Sequence, residues 1–223
     1  VSSELQERYL RFEWNIPALD VVLTGPSDSP LLYRRPDAQE RKQALGVMAE
    51  LGMEAFKDRP FLSLSQGEAR KVLLARALLA VRMADAAFPP LLLLDEIMEG
   101  LDKDSRRSLE GLVDQLSSQA TILASAHRAS DLPSCLTHSL ALEHGRIQSQ
   151  GPRGPSQATP PLSPAPSFKN APPASGAVDG ETVLEIRGDV YLDRVKVLKD
   201  LDWQVRKGEH WFVAGSNGAG KST

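Results

Sequence analysis

A single cysteine, Cys135, among 223 residues excludes an intrachain disulfide and fits a reducing compartment. Long apolar runs are missing as well. The stretches Leu91–Leu94 and Val72–Val81 are short or broken by arginine, far below the ~18 consecutive apolar residues of a bilayer span, so direct membrane insertion is not expected. Neither sign of charge dominates: 26 Lys and Arg against 29 Asp and Glu give a net charge of -3, which carries no nucleic-acid footprint. No methionine opens the chain and no charged-then-apolar leader follows Val1, so the N-terminus is expected to be a cut within a longer polypeptide. What is present is an ordinary globular composition, 41% hydrophobic, enough for one large domain or parts of two.

Between Gln148 and Gly180 the composition shifts to Pro, Ser, Ala and Gly, as in Pro160-Pro161-Leu162-Ser163-Pro164-Ala165-Pro166. Without an apolar period this stretch cannot bury enough surface to offset the entropy of ordering, and it reads as a linker; a proline-rich segment recognised by a partner is the alternative. It separates residues 1–147 from residues 181–223. Upstream, apolar spacing predicts helices over Ala38–Leu51, Gln66–Met83 and Ser105–Leu116, alternating with fully buried strands at Leu91–Leu94 and Thr121–Ala124. That alternation implies a parallel sheet with helices on both faces. Downstream, Thr182–Ile186, Val195–Leu198 and Leu201–Val205 alternate like half-buried antiparallel strands, and Trp211-Phe212-Val213-Ala214 reads as one more buried strand.

That last strand runs into Gly215-Ser216-Asn217-Gly218-Ala219-Gly220-Lys221-Ser222-Thr223, the strict G-x-x-x-x-G-K-[ST] pattern of a nucleotide-phosphate loop. Its glycines let backbone N–H groups close around phosphate oxygens, Lys221 reaches the terminal phosphates and the Ser222 hydroxyl suits Mg2+. The bound species implied is a nucleotide phosphate with Mg2+. Asp95 and Glu96 follow the Leu91–Leu94 strand, at the strand end where open α/β sheets bind ligands. Asp95 suits the metal, and Glu96 suits activation of a water that attacks the γ-phosphate; a surface turn is the plainer alternative. Ser65-Gln66-Gly67-Glu68 opens the Gln66–Met83 helix. Ser65 there is an N-cap with Glu68 closing a capping box, and the same hydroxyl, glycine and helix N-terminus also make an anion site.

Leu64-Ser65-Gln66-Gly67-Glu68 resembles the signature loop of the ATP-binding-cassette (ABC) ATPases. Glu99-Gly100-Leu101-Asp102 stands after the acidic pair as that family's D-loop does, with Asp102 at its end. His127 ends the following strand as the switch histidine does, sensing the γ-phosphate, although a lone histidine is as readily structural. Tyr191 lies where the family puts an aromatic residue that stacks on adenine, or is a half-buried strand tyrosine. Val21-Val22-Leu23-Thr24-Gly25, Leu31-Leu32-Tyr33 and Leu201-Asp202-Trp203-Gln204-Val205 are similar to the tandem-cassette, ModF-like members, named for molybdenum transport and photorepair. The resemblance implies a P-loop fold, ATP and Mg2+ as ligands, ATP hydrolysis, and residence in the cytoplasm or at the periphery of a membrane beside a permease that these residues do not identify.

Within one cassette of that family the phosphate loop precedes the signature; here it follows. The order implies two cassettes, 1–147 being the later part of the first and 181–223 the opening of the second, with the complementary halves missing and no complete hydrolytic site. In the family each nucleotide is sandwiched between the phosphate loop of one cassette and the signature of the other. Ser65 and Gly67 would then face the nucleotide held by Lys221 and Ser222, while Asp95, Glu96 and His127 serve another site. Three departures stand out: Ile97 and Met98 after Glu96 in place of proline and a small residue, Ser3 in place of a glutamine with Gln6 nearby, and Gln66 and Glu68 in place of glycine and glutamine. A non-hydrolysing regulatory module is the alternative function. The two segments also approximate one cassette in permuted order, and a flexible linker of ~30 residues, with an r.m.s. span of about 30 Å, would let the downstream strands dock on the upstream sheet.

Overall fold

The computed structural model describes residues 1–2, 4–84, 89–126, 132–153, 181–192 and 194–215; Ser3, His127, Ser216 to Thr223 and the proline-rich stretch 154–180 lie outside them. The chain divides into two compact units, Val1–Phe88 with Ile97–Leu112, and Pro89–Glu96 with Val113–Thr223.

The first unit is helical, with α1 (Glu4–Arg11), α2 (Ala18–Leu23), α3 (Ala38–Glu50), α4 (Gln66–Met83) and the first part of α5 (Lys103–Leu116). Residues 66–83 form the predicted helix because Ser65 and Glu68 close a capping box at its start, so two otherwise unpaired N–H groups are satisfied before the apolar run begins. Asp37 and Glu40 do the same for α3. There the Arg34 guanidinium and the Asp37 N–H hold the Glu40 carboxylate well below its usual range, at about 2. Ala69, Val72, Leu73, Leu74, Ala75, Leu78 and Leu79 are all buried, more than one stripe of α4, as befits a helix flanked by both α2 and α3. Tyr9, Met48, Met53 and Phe61 complete that core, each buried Met, Leu or Phe side chain contributing ~1.5–3 kcal/mol before entropy is counted.

The second unit is built on a five-stranded sheet of order β1-β2-β7-β3-β4, comprising β1 (Leu91–Asp95), β2 (Thr121–Ser125), β3 (His138–Glu143), β4 (Arg146–Pro152) and β7 (Trp211–Gly215). The strand before the phosphate loop, β7, lies between β2 and β3 and runs parallel to both. The downstream segment therefore docks into the upstream sheet, as the permuted arrangement expects. One buried histidine ties this pairing together. His210 accepts the Ile122 N–H on Nδ1 at 3.1 Å, accepts the Thr137 and His138 N–H groups on its carbonyl at 2.9 Å each, and donates its own N–H to Thr137 Oγ1 at 3.0 Å. Burial, and secondarily the nearby His138, pushes its pKa down, which keeps Nδ1 a neutral acceptor.

The remaining strands, β5 (Thr182–Leu192) and β6 (Val195–Arg206), form an antiparallel hairpin. Leu198, Leu201, Trp203 and Val205 of β6 pack with Leu123, Leu140, Leu142 and Trp211 of the sheet, and the Trp203 and Trp211 rings meet edge to face at 5.6 Å.

Four sequence expectations change in detail. Leu91–Leu94 is not buried throughout: Leu92 and Leu94 are buried on one face of β1, an edge strand, while Leu93 on the other face is 55% exposed. Val195–Leu198 and Leu201–Val205 are one strand, not two, because an extra residue at Asp200 (φ 51°) forms a bulge opposite Gly188–Val190; this shifts the alternation so that Leu198 and Leu201 share a face. Residues 148–152, read from composition as linker, continue β4 to Pro152, a residue tolerated there because β4 is an edge. Finally, β3 and β4 had no counterpart in the sequence reading. His144 and Gly145, both at positive φ, make the two-residue turn between them.

Candidate functional site

Sheet register brings the acidic strand and the phosphate-loop strand to one end of the second unit. Asp95 pairs with Ser125 and Ser125 with Val213, so the three stand in a row across β1, β2 and β7. At ~4.8 Å per strand the Asp95 and Val213 backbones are about 10 Å apart. Gly215, the first residue of the phosphate loop, ends β7 just beyond that row, opposite Leu142. Strand ends on this side of a parallel sheet are where ligands bind.

The Ser125 hydroxyl donates to Asp95 Oδ1, and the Glu96 N–H donates to the Ser125 carbonyl at 3.2 Å. Glu96 itself has φ 49°, a left-handed conformation uncommon for a non-glycine residue and of the kind that gathers at functional sites. Among the described residues no three His, Cys, Asp or Glu side chains gather as a metal cage. A single strand-end carboxylate suits Mg2+ all the same, since that ion keeps several waters and leans on substrate phosphates.

In the first unit the Ser65 hydroxyl accepts the Glu68 N–H at 3.3 Å, and Glu68 Oε2 accepts the Ser65 N–H at 2.8 Å, at the exposed start of α4. The Ser65 N–H holds the Glu68 carboxyl below its usual range, with Arg59 at 2.9 Å assisting. Gly67, two residues on, is buried, and a Cβ placed there would lie 2.6 Å from Ser105 Oγ. Asp102 caps α5: its Oδ1 accepts the Asp104 and Ser105 N–H groups at 3.0 Å each, and the Ser105 N–H is the foremost of the bonds that lower its pKa. The role of Ser105 is not visible in the sequence, because only the fold sets it against Gly67.

Tyr191, on β5, is 57% exposed, with Lys196 Nζ 5.5 Å from its ring centroid. Leu192 and Val195 beside it are 57% and 63% exposed, so the hairpin tip offers an aromatic face with apolar neighbours. Ser216, Asn217, Gly218, Ala219, Gly220, Lys221, Ser222, Thr223 and His127 lie outside the described residues. No described helix is long and apolar enough to cross a membrane.

The chain is 30% identical, over its full length, to the ABC transporter ATP-binding protein ModF of Escherichia coli (strain K12). The chain belongs to the ABC-type ATPases. An uncharacterized ABC transporter ATP-binding protein, YlmA of Bacillus subtilis (strain 168), is 32% identical over 68% of the chain. The chain spans 47% of the length of ModF and 54% of that of YlmA. No protein-family model matches. Among solved structures, an ATP-binding cassette of an ABC transporter in its ADP conformation superposes with a TM-score of 0.54 at 19% identity, covering 62% of this chain and 56% of that one. A nucleotide-free cassette gives a TM-score of 0.54 at 21% identity with the same coverage. At such identities the superpositions speak for the fold, and they agree with the P-loop ABC architecture of parallel strands, helices and an added antiparallel sheet.

Proposed function

We propose that this ABC-type chain serves a soluble, cytoplasmic, two-cassette ATPase that binds Mg-ATP and couples its hydrolysis to closing and opening of the cassettes, with transport as one output of that cycle. The observation that carries the proposal is the row Asp95, Ser125, Val213 with Gly215 beyond it, which sets a carboxylate and the root of the phosphate loop at one sheet end. In this proposal Lys221 and the loop N–H groups bind phosphate oxygens at one site, where Ser222 holds Mg2+ and Tyr191 stacks on the base, while at the other site Asp95 supports Mg2+, Glu96 orients the attacking water and His127 senses the γ-phosphate. Bound Mg2+ would neutralise charge developing on the phosphates.

The motif order, with signature and acidic strand before the phosphate loop, supports a tandem protein in which the first segment, expected to end at 147, extends through β4 to Pro152, followed by a linker up to 180 and the second segment 181–223. Each cassette would then be completed by residues elsewhere in that protein, and this stretch alone would turn over no ATP. Ser65 and Gly67 would face the nucleotide held by Lys221 and Ser222, while Asp95, Glu96 and His127 work at the other site, with Asp102 in the D-loop. Docking of β7 into the upstream sheet supports a second arrangement, in which Asp95 and the Gly215–Thr223 loop share one pseudo-cassette within this chain.

Steady-state ATP turnover of the intact protein tests the function. A general base in this position contributes ~10²–10⁴-fold, so Glu96→Gln, made in a protein whose second cassette already carries the matching change, should lower the remaining turnover by that order with nucleotide binding retained. Unchanged turnover would leave the upstream site a non-hydrolysing regulatory module. Nucleotide binding by residues 1–223 alone, abolished by both Lys221→Ala and Asp95→Asn, would favour the shared-site arrangement over the split one.

A further inference from the structure

Two glycines in the first unit face each other's segments in a reciprocal way. A Cβ on Gly67, at the start of α4, would meet Ser105 Oγ at 2.6 Å and Ser105 Cβ at 2.8 Å, with the Ser105 Cα next at 3.8 Å. A Cβ on Gly100, which sits at φ +73° in the turn before α5, would meet Gln66 Oε1 at 3.2 Å. Each segment thus supplies one side chain and one vacant Cβ position to the other. Asp102 fixes the Ser105 side of this lock, because its carboxylate accepts the Ser105 N–H at 3.0 Å. The Ser65 and Glu68 capping box fixes the other side. Packed surfaces of this kind move together or switch between discrete arrangements, since tight contacts do not deform continuously.

We propose that Ser105 and Gln66 are positioning residues: Ser105 seated over Gly67 and Gln66 seated against Gly100 make the turn after the acidic strand and the start of α4 one mechanical piece, which sets where the Ser65 hydroxyl stands. Gly67 is required for this internal seat, because Ser105 occupies the space a Cβ would need. The departure at Gln66 gains a reason, because its side chain reaches the space that Gly100 leaves open. The role in nucleotide response rests on the ATP-binding function proposed above; the packing itself does not.

The test is a cycle of variants in the intact protein, read by thermal midpoint and by the ATP concentration that half-saturates turnover. Gly67→Ala forces a clash and should lower the midpoint and raise the half-saturating ATP about tenfold, the scale of coupling between residues in contact. Ser105→Gly alone should move both readouts in the same direction by less. Gly67→Ala with Ser105→Gly moves the side chain from one wall to the other and should lie nearer the wild type than Gly67→Ala does in both readouts. Gly67→Ala with Ser105→Ala keeps the Cβ clash and should not recover. Additive losses in the midpoint overturn the lock. Recovery of the midpoint without recovery of the ATP response overturns the positioning role, leaving a packing contact only. Wild-type protein without any turnover sinks the proposed function instead, and the midpoint cycle then still decides whether the two segments are locked.

Discussion

The start of α4 and the end of β1 carry the two motifs that matter most, yet they are held in opposite ways. Ser65 is fixed by Glu68, three residues away, through a capping box that closes within one helical turn. Asp95 is fixed by Ser125, thirty residues on, and the strand that brings the phosphate loop beside them is the last described element of the chain. One anchor is local and survives almost any rearrangement of the rest. The other exists only once distant strands have paired, and its cost in loop-closure entropy is offset by the apolar packing that follows.

The largest effect should therefore come from breaking that packing rather than from touching either motif. Trp203 on β6 is 8% exposed and packs against Trp211 of β7, so Trp203→Ala removes the wedge between hairpin and sheet. A loss of ~3–5 kcal/mol is expected in urea unfolding. Among the described residues Trp203 Nε1 has no hydrogen-bond partner, so Trp203→Phe should cost much less than the alanine change. Equal losses would mean that Nε1 has a partner after all.

Next in size is His210, the tie between β7 and its neighbours. His210→Ala strips the buried Ile122 N–H of its acceptor, for which ~1–3 kcal/mol is the usual cost. The pH dependence gives a sharper signature. The folded state lowers this pKa from 6.5, so the unfolded chain binds the proton more readily; stability is full above about 6.5 and declines as pH falls below it. His138, stacked on Trp211 with its ring centroid 4.8 Å away and Glu209 3.7 Å from its Nε2, is the neighbour whose charge adds to this effect. Urea unfolding from pH 7.5 to 5 should show a slope in the wild type that His210→Ala reduces. Parallel slopes would remove His210 as the origin.

The same contrast explains what could be read in advance. Residues 66–83 were legible as a helix because Ser65, Glu68 and the apolar spacing all lie within the segment itself. The Leu91–Leu94 and Thr121–Ala124 runs were legible as strands, but not the exposure of Leu93, which depends on which face of the sheet is covered at β1. The β3 to β4 hairpin was missed although His144-Gly145 is a two-residue turn between alternating runs; the proline-rich composition nearby masked it. For the candidate site, the residue types were plain in the motifs. Their assembly was less so, because the row Asp95, Ser125, Val213 is a matter of register and the seat of Ser105 on Gly67 a matter of tertiary contact.

The smallest effect tests the local anchor. Glu68→Gln keeps the capping geometry, since an amide oxygen accepts the Ser65 N–H as a carboxylate does, and gives up only the charge that faces Arg59 at 2.9 Å. An ion pair this open to solvent is worth at most ~1 kcal/mol, and a change of a few tenths is expected at pH 7. Because the fold lowers the Glu68 pKa from 4.5, its contribution is present above that value and lost as pH falls below it, in a window distinct from that of His210. Ser65→Ala, which removes the cap itself, should cost ~1 kcal/mol and set the upper bound for the local anchor. A Glu68→Gln loss as large as that of Ser65→Ala would show that charge rather than capping holds the start of α4, and the contrast between a local and a long-range anchor would then need redrawing around Arg59.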